Sequence, residues 1–354
     1  MVSQTGARLV AEQLEELHAR HGTRGDDRIV SFYPPEAAAD RHLFAIAGTN
    51  VDGTRWGVGD CEVRFPLQSI SKVFTFGLAL EDNGREATLA RVGVEPSGEP
   101  FNSITFDEAH HRPHNPMINT GALVAANLVH GVDRHDKITR LLERLRTYSG
   151  NPDLAVDQDV LAAELTSNDR NLGLCYIMRS LGMITGEIGD TLAVYLAMCS
   201  VTVTASELSV MGATLAHGGI NPLTGQRALT RRYVRDVVSV MNTCGMYDAA
   251  GQWATDVGIP AKSGVSGGLV ATIVNHLGLG MFSPGLDVHG HSVRAVNVCR
   301  ELSERFGLHI FADPGESSLG GVPTADTPPA RPDRTREVLP AAEAEHAEHH
   351  EGRA

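Results

Sequence analysis

The chain lacks any apolar run long enough to span a membrane, because even its richest stretches are interrupted by polar residues or glycine; a spanning helix needs about 20 consecutive apolar residues. It also lacks a Lys/Arg block, and its formal charge is −13. Both features argue against a nucleic-acid binder with a broad basic face. The opening residues, MVSQTGARLVAEQLEELHAR, have no basic flank followed by an apolar core, so they do not read as a secretory signal, and a cytoplasmic protein is expected. Cysteine is scarce, scattered and odd in number: Cys61, Cys175, Cys199, Cys244 and Cys299. That spacing fits reduced thiols used as small buried hydrophobes better than a disulfide framework or a CxxC metal site. No internal repeat is present. Past Phe311 there is no aromatic residue, and residues 313–354 carry nine acidic and four basic side chains. Such a segment cannot bury enough apolar surface to offset its ordering entropy, and it is expected to be a disordered acidic tail. Its end, EAEHAEHHEGRA, reads as solvated chain rather than as a metal tract.

What is present is enough for a sizeable core. A length of 354 residues suggests two domains or one composite domain. An amphipathic helix is expected at about residues 5–20, with Leu9, Leu14 and Leu17 among its apolar positions. Two half-apolar runs flank Asp52–Gly53 as a hairpin requires. Residues 65–82 turn helical and very apolar. The segment from about 85 to 190 is helical pattern broken by loops such as EPSGEP and HHRPHNP. The stretch ASELSVMGATLAHGG reads as a helix stopped by a glycine pair. Short β-type runs follow, namely GLVATIVNH, LGLGMFS and SVRAV, and then a closing helix near 293–306. Strands, a helical middle and strands again are economically explained by an α+β region, about 1–65 and 195–312, split by an inserted all-helical part at about 66–194.

Two stretches carry chemistry. In Phe65-Pro66-Leu67-Gln68-Ser69-Ile70-Ser71-Lys72, a helical start places Ser69 and Lys72 on one face, while Ser71 points elsewhere. A serine hydroxyl needs a neighbouring base. Lysine serves as one only where burial or a nearby positive charge disfavours its ammonium, and here VFTFGLAL follows Lys72 with no charge before Glu81. A helix N-terminus also presents backbone N–H groups to a developing oxyanion. Alone, SxxK is a weak signal and better describes a surface serine and a lysine draped along an amphipathic helix. The second stretch, Lys262-Ser263-Gly264-Val265-Ser266-Gly267-Gly268, precedes an apolar strand and, taken alone, is better read as a glycine-rich turn. SxxK followed far downstream by Lys-Ser-Gly is the pattern of penicillin-recognising serine enzymes, so together the two point to acyl transfer.

At these residues the chain resembles the serine-dependent glutaminase family, which shares the β-lactamase-like fold. The resemblance runs from about Val30 to Phe311 and rests on VSFYPPEAA, FPLQSISKVF, EPSGEPFNSI, RPHNPMINTGAL, the Glu164–Asn171 spacing before LCYIMRSLGMI, YLAMCSV, NTCGMYDAAGQWA and GIPAKSGVSGG. It implies an α+β fold of the β-lactamase and penicillin-binding type, an antiparallel sheet flanked by helices with a helical insertion. It implies Ser69 as nucleophile, Lys72 as base, Tyr33 and Tyr247 as active-site tyrosines, with Tyr247 passing a proton to leaving ammonia. Asn119, Glu164, Asn171 and Tyr195 would hold the substrate's amino-acid end, and the backbone of Val265 would join that of Ser69 in an oxyanion hole. Independently, a carboxylate such as Glu164 suits an α-ammonium, and Asn and Tyr donors suit an α-carboxylate. Ser266 and Pro34 depart from the family pattern.

The expected activity is hydrolysis of L-glutamine to L-glutamate and ammonia, without metal or organic cofactor, by a homodimer or homotetramer. The partner expected is this small molecule, not nucleic acid or membrane. The rivals are a penicillin-binding or β-lactamase-type hydrolase, disfavoured by the lack of an export signal and by Glu164 and the asparagines, and a silent binding protein of the same fold. His110, His111 and His114 lie close in sequence, but HHRPHNP does not provide metal geometry by itself, and a polar loop beside the substrate pocket is expected.

Overall fold

The computed structural model describes residues 4–22, 28–29, 40–99 and 103–312, with backbone alone for 4–11 and 28–29. Tyr33 and the 313–354 segment lie outside the described residues.

Leu14 and Leu17 fall on one face of the first helix, α1 (Gln4–Gly22), and both are buried. After the short β1 (Arg28–Ile29), the expected hairpin forms from β2 (Ala45–Asn50) and β3 (Arg55–Gly59). Its turn is closed by Asn50 N–H donating to the Thr54 carbonyl at 2.8 Å, with Gly53 at φ +87°, a value glycine adopts without strain. Then come β4 (Phe65–Pro66), a 3-10 turn at Gln68–Ile70 and α2 (Ser71–Asn83).

The helical stretch comprises α3 (Arg85–Arg91), α4 (Asn119–Leu128), α5 (Arg134–Ser149), α6 (Gln158–Thr166), α7 (Asp169–Ser180) and α8 (Ile188–Cys199). Local chemistry sets several of its ends. Asp133 and Asp157 accept backbone N–H groups as N-caps of α5 and α6, and Gly150 closes α5 in the left-handed conformation. After β5 (Thr202–Val203), which pairs with β4, α9 (Ala205–Ala216) opens on a Thr204–Glu207 capping box and ends ahead of the left-handed Gly218 and Gly219. The chain closes with α10 (Arg231–Cys244), α11 (Ala250–Asp256), β6 (Ala261–Ser263), β7 (Gly268–Ile273), β8 (Leu277–Phe282), β9 (Gly285–Leu286) and α12 (Val293–Phe306).

The main sheet is antiparallel, in the order β3-β2-β8-β7-β6. Every residue of β2, β7 and β8 is buried, because both faces are covered. On one face lies α9, so close that a Cβ on Gly278 would sit 2.0 Å from Ala213 N and one on Gly280 2.3 Å from Ala205 O. On the other face, Leu14, Leu17, Trp253, Val298 and Leu302 from α1, α11 and α12 form a core with Ile46, Leu269 and Met281. The helices α2, α4, α5 and α8 join a second core with Ala45, Ala47, Val270 and Phe282 of the sheet. The architecture is therefore α+β, as expected.

One expectation is corrected. SVRAV, read as β-type for its valines, is not a strand. Ser292 caps α12 by accepting from Ala295 N–H, and Ala295, Val298, Cys299 and Leu302 are all buried. Their i, i+3, i+4, i+7 spacing is helical, and burial on that period outweighs the local preference of β-branched residues.

Candidate active site

The turn carrying Ser69 is held from several sides. Leu67 N–H donates to the Val201 carbonyl at 2.8 Å, and Ser71 Oγ donates to the Gln68 carbonyl at 2.8 Å. Gln68 itself has φ +48°, a conformation costing about 1–3 kcal/mol for a non-glycine residue, which persists only where the surroundings enforce it. The 3-10 turn runs directly into α2, so Ser69 and Lys72 stack along one face. Lys72 Nζ lies 2.7 Å from Ser69 Oγ.

Lys72 is 1 % exposed. Its other hydrogen bond goes to Asn119 Oδ1 at 2.8 Å, so its partners are a hydroxyl and an amide, not a carboxylate. Burial lowers its pKa to about 8, since a desolvated ammonium has no full counter-charge to replace water. About a tenth of the molecules then carry a neutral amine at pH 7, against roughly one in a few thousand for an ordinary lysine.

Asn119 opens α4, and Asn115 organises the approach to it, donating to the Glu95 carbonyl and accepting from Met117 N–H. Asn119 Oδ1 also accepts from Tyr195 OH at 3.3 Å, while its Nδ2 donates to Asn171 Oδ1 at 3.1 Å. The geometry thus joins Ser69, Lys72, Asn119, Asn171 and Tyr195 in one chain of contacts drawn from the 3-10 turn, α2, α4, α7 and α8. Burial raises the Tyr195 phenol well above its ordinary value, and it stays neutral. Glu164, on α6, accepts from Gln68 Nε2 at 2.6 Å. The residue preceding the serine therefore meets the carboxylate expected to face an ammonium. The sequence does not single out Gln68, although it directly precedes the SxxK motif.

The opposite wall comes from the sheet and the 247–249 turn. Burial pushes the Tyr247 phenol up, and its hydroxyl is hydrogen-bonded to Ser69 and reaches the Ser263 carbonyl at 3.4 Å. Tyr247 has φ +52°. Lys262, fully buried, donates to the Ser263 carbonyl at 2.7 Å, and its Nζ lies 3.8 Å from the centre of the Tyr247 ring. Burial first, then the nearby Lys72 charge, drive the Lys262 pKa well down. Gly264 packs on the turn that carries Ser69, where a Cβ would sit 2.8 Å from the Leu67 carbonyl. Val265 and Ser266 occupy the turn closed by Gly267 N–H donating to the Gly264 carbonyl at 3.0 Å. The Lys-Ser-Gly stretch is thus edge strand plus turn, standing beside SxxK.

Among the described residues, no group of three or more His, Cys, Asp or Glu side chains converges as a metal-binding cluster. His110 pairs with Asp107 at 2.8 Å. A cavity of about 770 Å³ opens between α3 and α10. Its Arg85 pairs with Asp236 and its Arg232 packs on Tyr233, and no nucleophile and base meet there. No helix among the described residues is long and apolar enough to cross a membrane.

Comparison with known proteins points the same way. A family model described as Glutaminase matches residues 29–311. A glutaminase of Trichormus variabilis is 46% identical over 298 residues, covering 84% of this chain and 89% of the relative. A protein named Glutaminase 2 of Clostridium perfringens is 41% identical over 286 residues, covering 80% and 94%. Among solved structures, Mglu in its glutamate form superposes with a TM-score of 0.82 at 43% identity, covering 86% of this chain and 70% of that one. A structure described as a probable glutaminase gives 0.83 at 33% identity, covering 86% and 99%.

Proposed function

The chain belongs to the glutaminase family, and from that premise we propose that it hydrolyses L-glutamine to L-glutamate and ammonia through an acyl-enzyme on Ser69. The observation that carries the reading is Lys72, fully buried, 2.7 Å from Ser69 Oγ and without a carboxylate partner. In its neutral form Lys72 accepts the Ser69 proton as Oγ attacks the side-chain carboxamide carbon. The carboxamide oxygen becomes an oxyanion, received by the N–H groups of Ser69 and Val265, each a type of donor worth about 3–4 kcal/mol. Collapse breaks the C–N bond. The nitrogen takes the proton from Lys72 through Tyr247, whose high pKa keeps it protonated between transfers. Water then attacks the γ-glutamyl ester, giving a proton to Lys72, which passes it to Ser69 Oγ as the ester C–O bond breaks and L-glutamate leaves.

Glutamine presents an α-ammonium and an α-carboxylate on one carbon. We assign the ammonium to Glu164, held in place by Gln68, and the carboxylate to donors from Asn119, Asn171 and Tyr195. A solved relative carrying glutamate, Mglu, supports a site shaped for that zwitterion. L-asparagine, one methylene shorter, would place its carbonyl away from Ser69, and misplacement of this kind affects rate more than binding.

The test is ammonia release by the purified chain from L-glutamine, with L-asparagine and Ser69→Ala in parallel. Release that vanishes in Ser69→Ala, with the fold intact by circular dichroism, supports both reaction and nucleophile. Turnover by Ser69→Ala near the parent rate eliminates the acyl-enzyme. No release by folded parent protein, with a penicillin label on Ser69, would favour the β-lactam-type hydrolase instead.

A further inference from the structure

Tyr247 and the Lys262–Ser263 end of β6 meet beside Ser69, and one side chain ties them together from behind. His291, on the turn between β9 and α12, is 2 % exposed. Its Nε2 lies 3.1 Å from the Met246 carbonyl and its Nδ1 2.7 Å from Ser263 Oγ. A carbonyl oxygen only accepts, so Nε2 carries the hydrogen. In the neutral ring Nδ1 is then bare, and the Ser263 hydroxyl donates to it. The imidazole also stacks on the Tyr247 ring, 5.4 Å between centres and 10° from parallel.

These contacts sit at both ends of the structure that aims Tyr247. Met246 directly precedes Tyr247, whose positive φ needs enforcement from outside. Gly245, just before, presses on β6 so closely that a Cβ would lie 1.8 Å from the Ala261 carbonyl. Ser263 offers the carbonyl that receives both Lys262 Nζ and Tyr247 OH. His291 is itself anchored: Asp287 Oδ1 accepts its backbone N–H and that of His289, each at 2.9 Å. The charged and titratable groups around the ring are Asp287 on its own turn, Lys262 on β6, and His289, stacked on it at 6.2 Å. Asp248, next to Tyr247, is engaged by His289 at 2.9 Å. Burial dominates this set and holds the His291 pKa at about 4, so the ring is neutral wherever Lys72 works as a base.

We propose that His291, as the Nε2–H tautomer, is a positioning residue for proton transfer at Ser69, locking Tyr247 by clasping the Met246 carbonyl and the Ser263 hydroxyl. The inference rests on the acyl-enzyme reading of Ser69, Lys72 and Tyr247. It touches proton movement rather than glutamine's α-carbon, which is assigned to Glu164, Asn119, Asn171 and Tyr195 on the helical wall.

The experiment uses the full-length chain. His291→Phe keeps a ring against Tyr247 and removes both hydrogen bonds; His291→Gln restores a donor for the Met246 carbonyl. The expected result is a kcat for glutamine lowered about ten- to a hundredfold in His291→Phe, with KM within about twofold, and a partial recovery in His291→Gln. Independently of activity, ¹⁵N NMR of the imidazoles at pH 7 should show His291 protonated at Nε2 and bare at Nδ1. A folded His291→Phe with parental kcat, a loss carried by KM, or a hydrogen on Nδ1 overturns the proposal. If His291→Phe does not fold, His291→Gln and the tautomer decide. A parent protein inactive on glutamine sinks the functional reading instead, and the tautomer still judges the clasp.

Discussion

Asn119→Asp puts a carboxylate where a neutral amide oxygen now sits 2.8 Å from Lys72 Nζ, with almost no change in shape. The present Lys72 has a pKa of about 8 because burial disfavours its charge. Only the neutral amine can take the Ser69 proton, so log kcat in the parent should rise by one per pH unit below about 8 and level off above it. An opposite charge in contact favours the ammonium and typically moves a pKa by about 1–3 units. In Asn119→Asp the limb should therefore move up by that amount, with kcat at pH 7 lowered about 10- to 1000-fold, equivalent to about 1.4–4 kcal/mol, and recovered in part at higher pH. Asn119 also touches Asn171 and Tyr195, so KM changes too, and the comparison must use saturating glutamine. The assay is ammonia release from pH 6 to 10, with Asn119→Ala as the uncharged control. A limb at the same pH in Asn119→Asp and parent, or a parent profile flat through pH 8, would refute Lys72 as the base.

Three further outcomes follow from the same geometry. Lys72→Met should abolish turnover yet leave urea stability at pH 7 unchanged or raised by up to about 2 kcal/mol. Holding a charged amine in the core below pH 8 destabilises the fold, and this penalty in the parent should fade as pH rises from about 8 to 10.5; a loss of several kcal/mol in Lys72→Met would mean its hydrogen bonds outweigh desolvation. Glu164→Gln should raise the glutamine KM about a hundredfold, by the order of 2–3 kcal/mol expected for a charge-assisted contact, with kcat less affected; an unchanged KM would remove Glu164 from the ammonium site. Gly278→Ala should lower stability by about 3 kcal/mol or more in urea unfolding, because its Cβ would lie 2.0 Å from Ala213 N; a mild loss would show that α9 can lift off the sheet.

Periodicity and turn chemistry carried much of the fold. Leu14 and Leu17 at helical spacing, Asp52–Gly53 between two strands, and the glycine pair after His217 all correspond to observed features. SVRAV misleads because two valines in five residues suit strand and helix alike, and only the burial of Ala295, Val298, Cys299 and Leu302 against the sheet separates the two. At the site, the SxxK spacing placed Ser69 against Lys72 because three residues on a helical start share a face whatever surrounds them. Gln68 was within reach, since it adjoins Ser69. His291 was not, because it stands 28 residues from Ser263 and 45 from Met246, and nothing in GHS announces a ring stacked on a tyrosine.

The sequence by itself determined the family, the α+β order of elements and the meeting of Ser69 with Lys72, since these follow from local spacing and from matched blocks along the chain. Tertiary structure alone decided what the pair can do. Whether Lys72 is an ammonium or a base depends on water being excluded from every side, and the walls that exclude it come from α2, α4, α8 and β6, separated by up to about two hundred residues of chain. Desolvation is a property of a closed surface, and a linear pattern of residue types does not contain one.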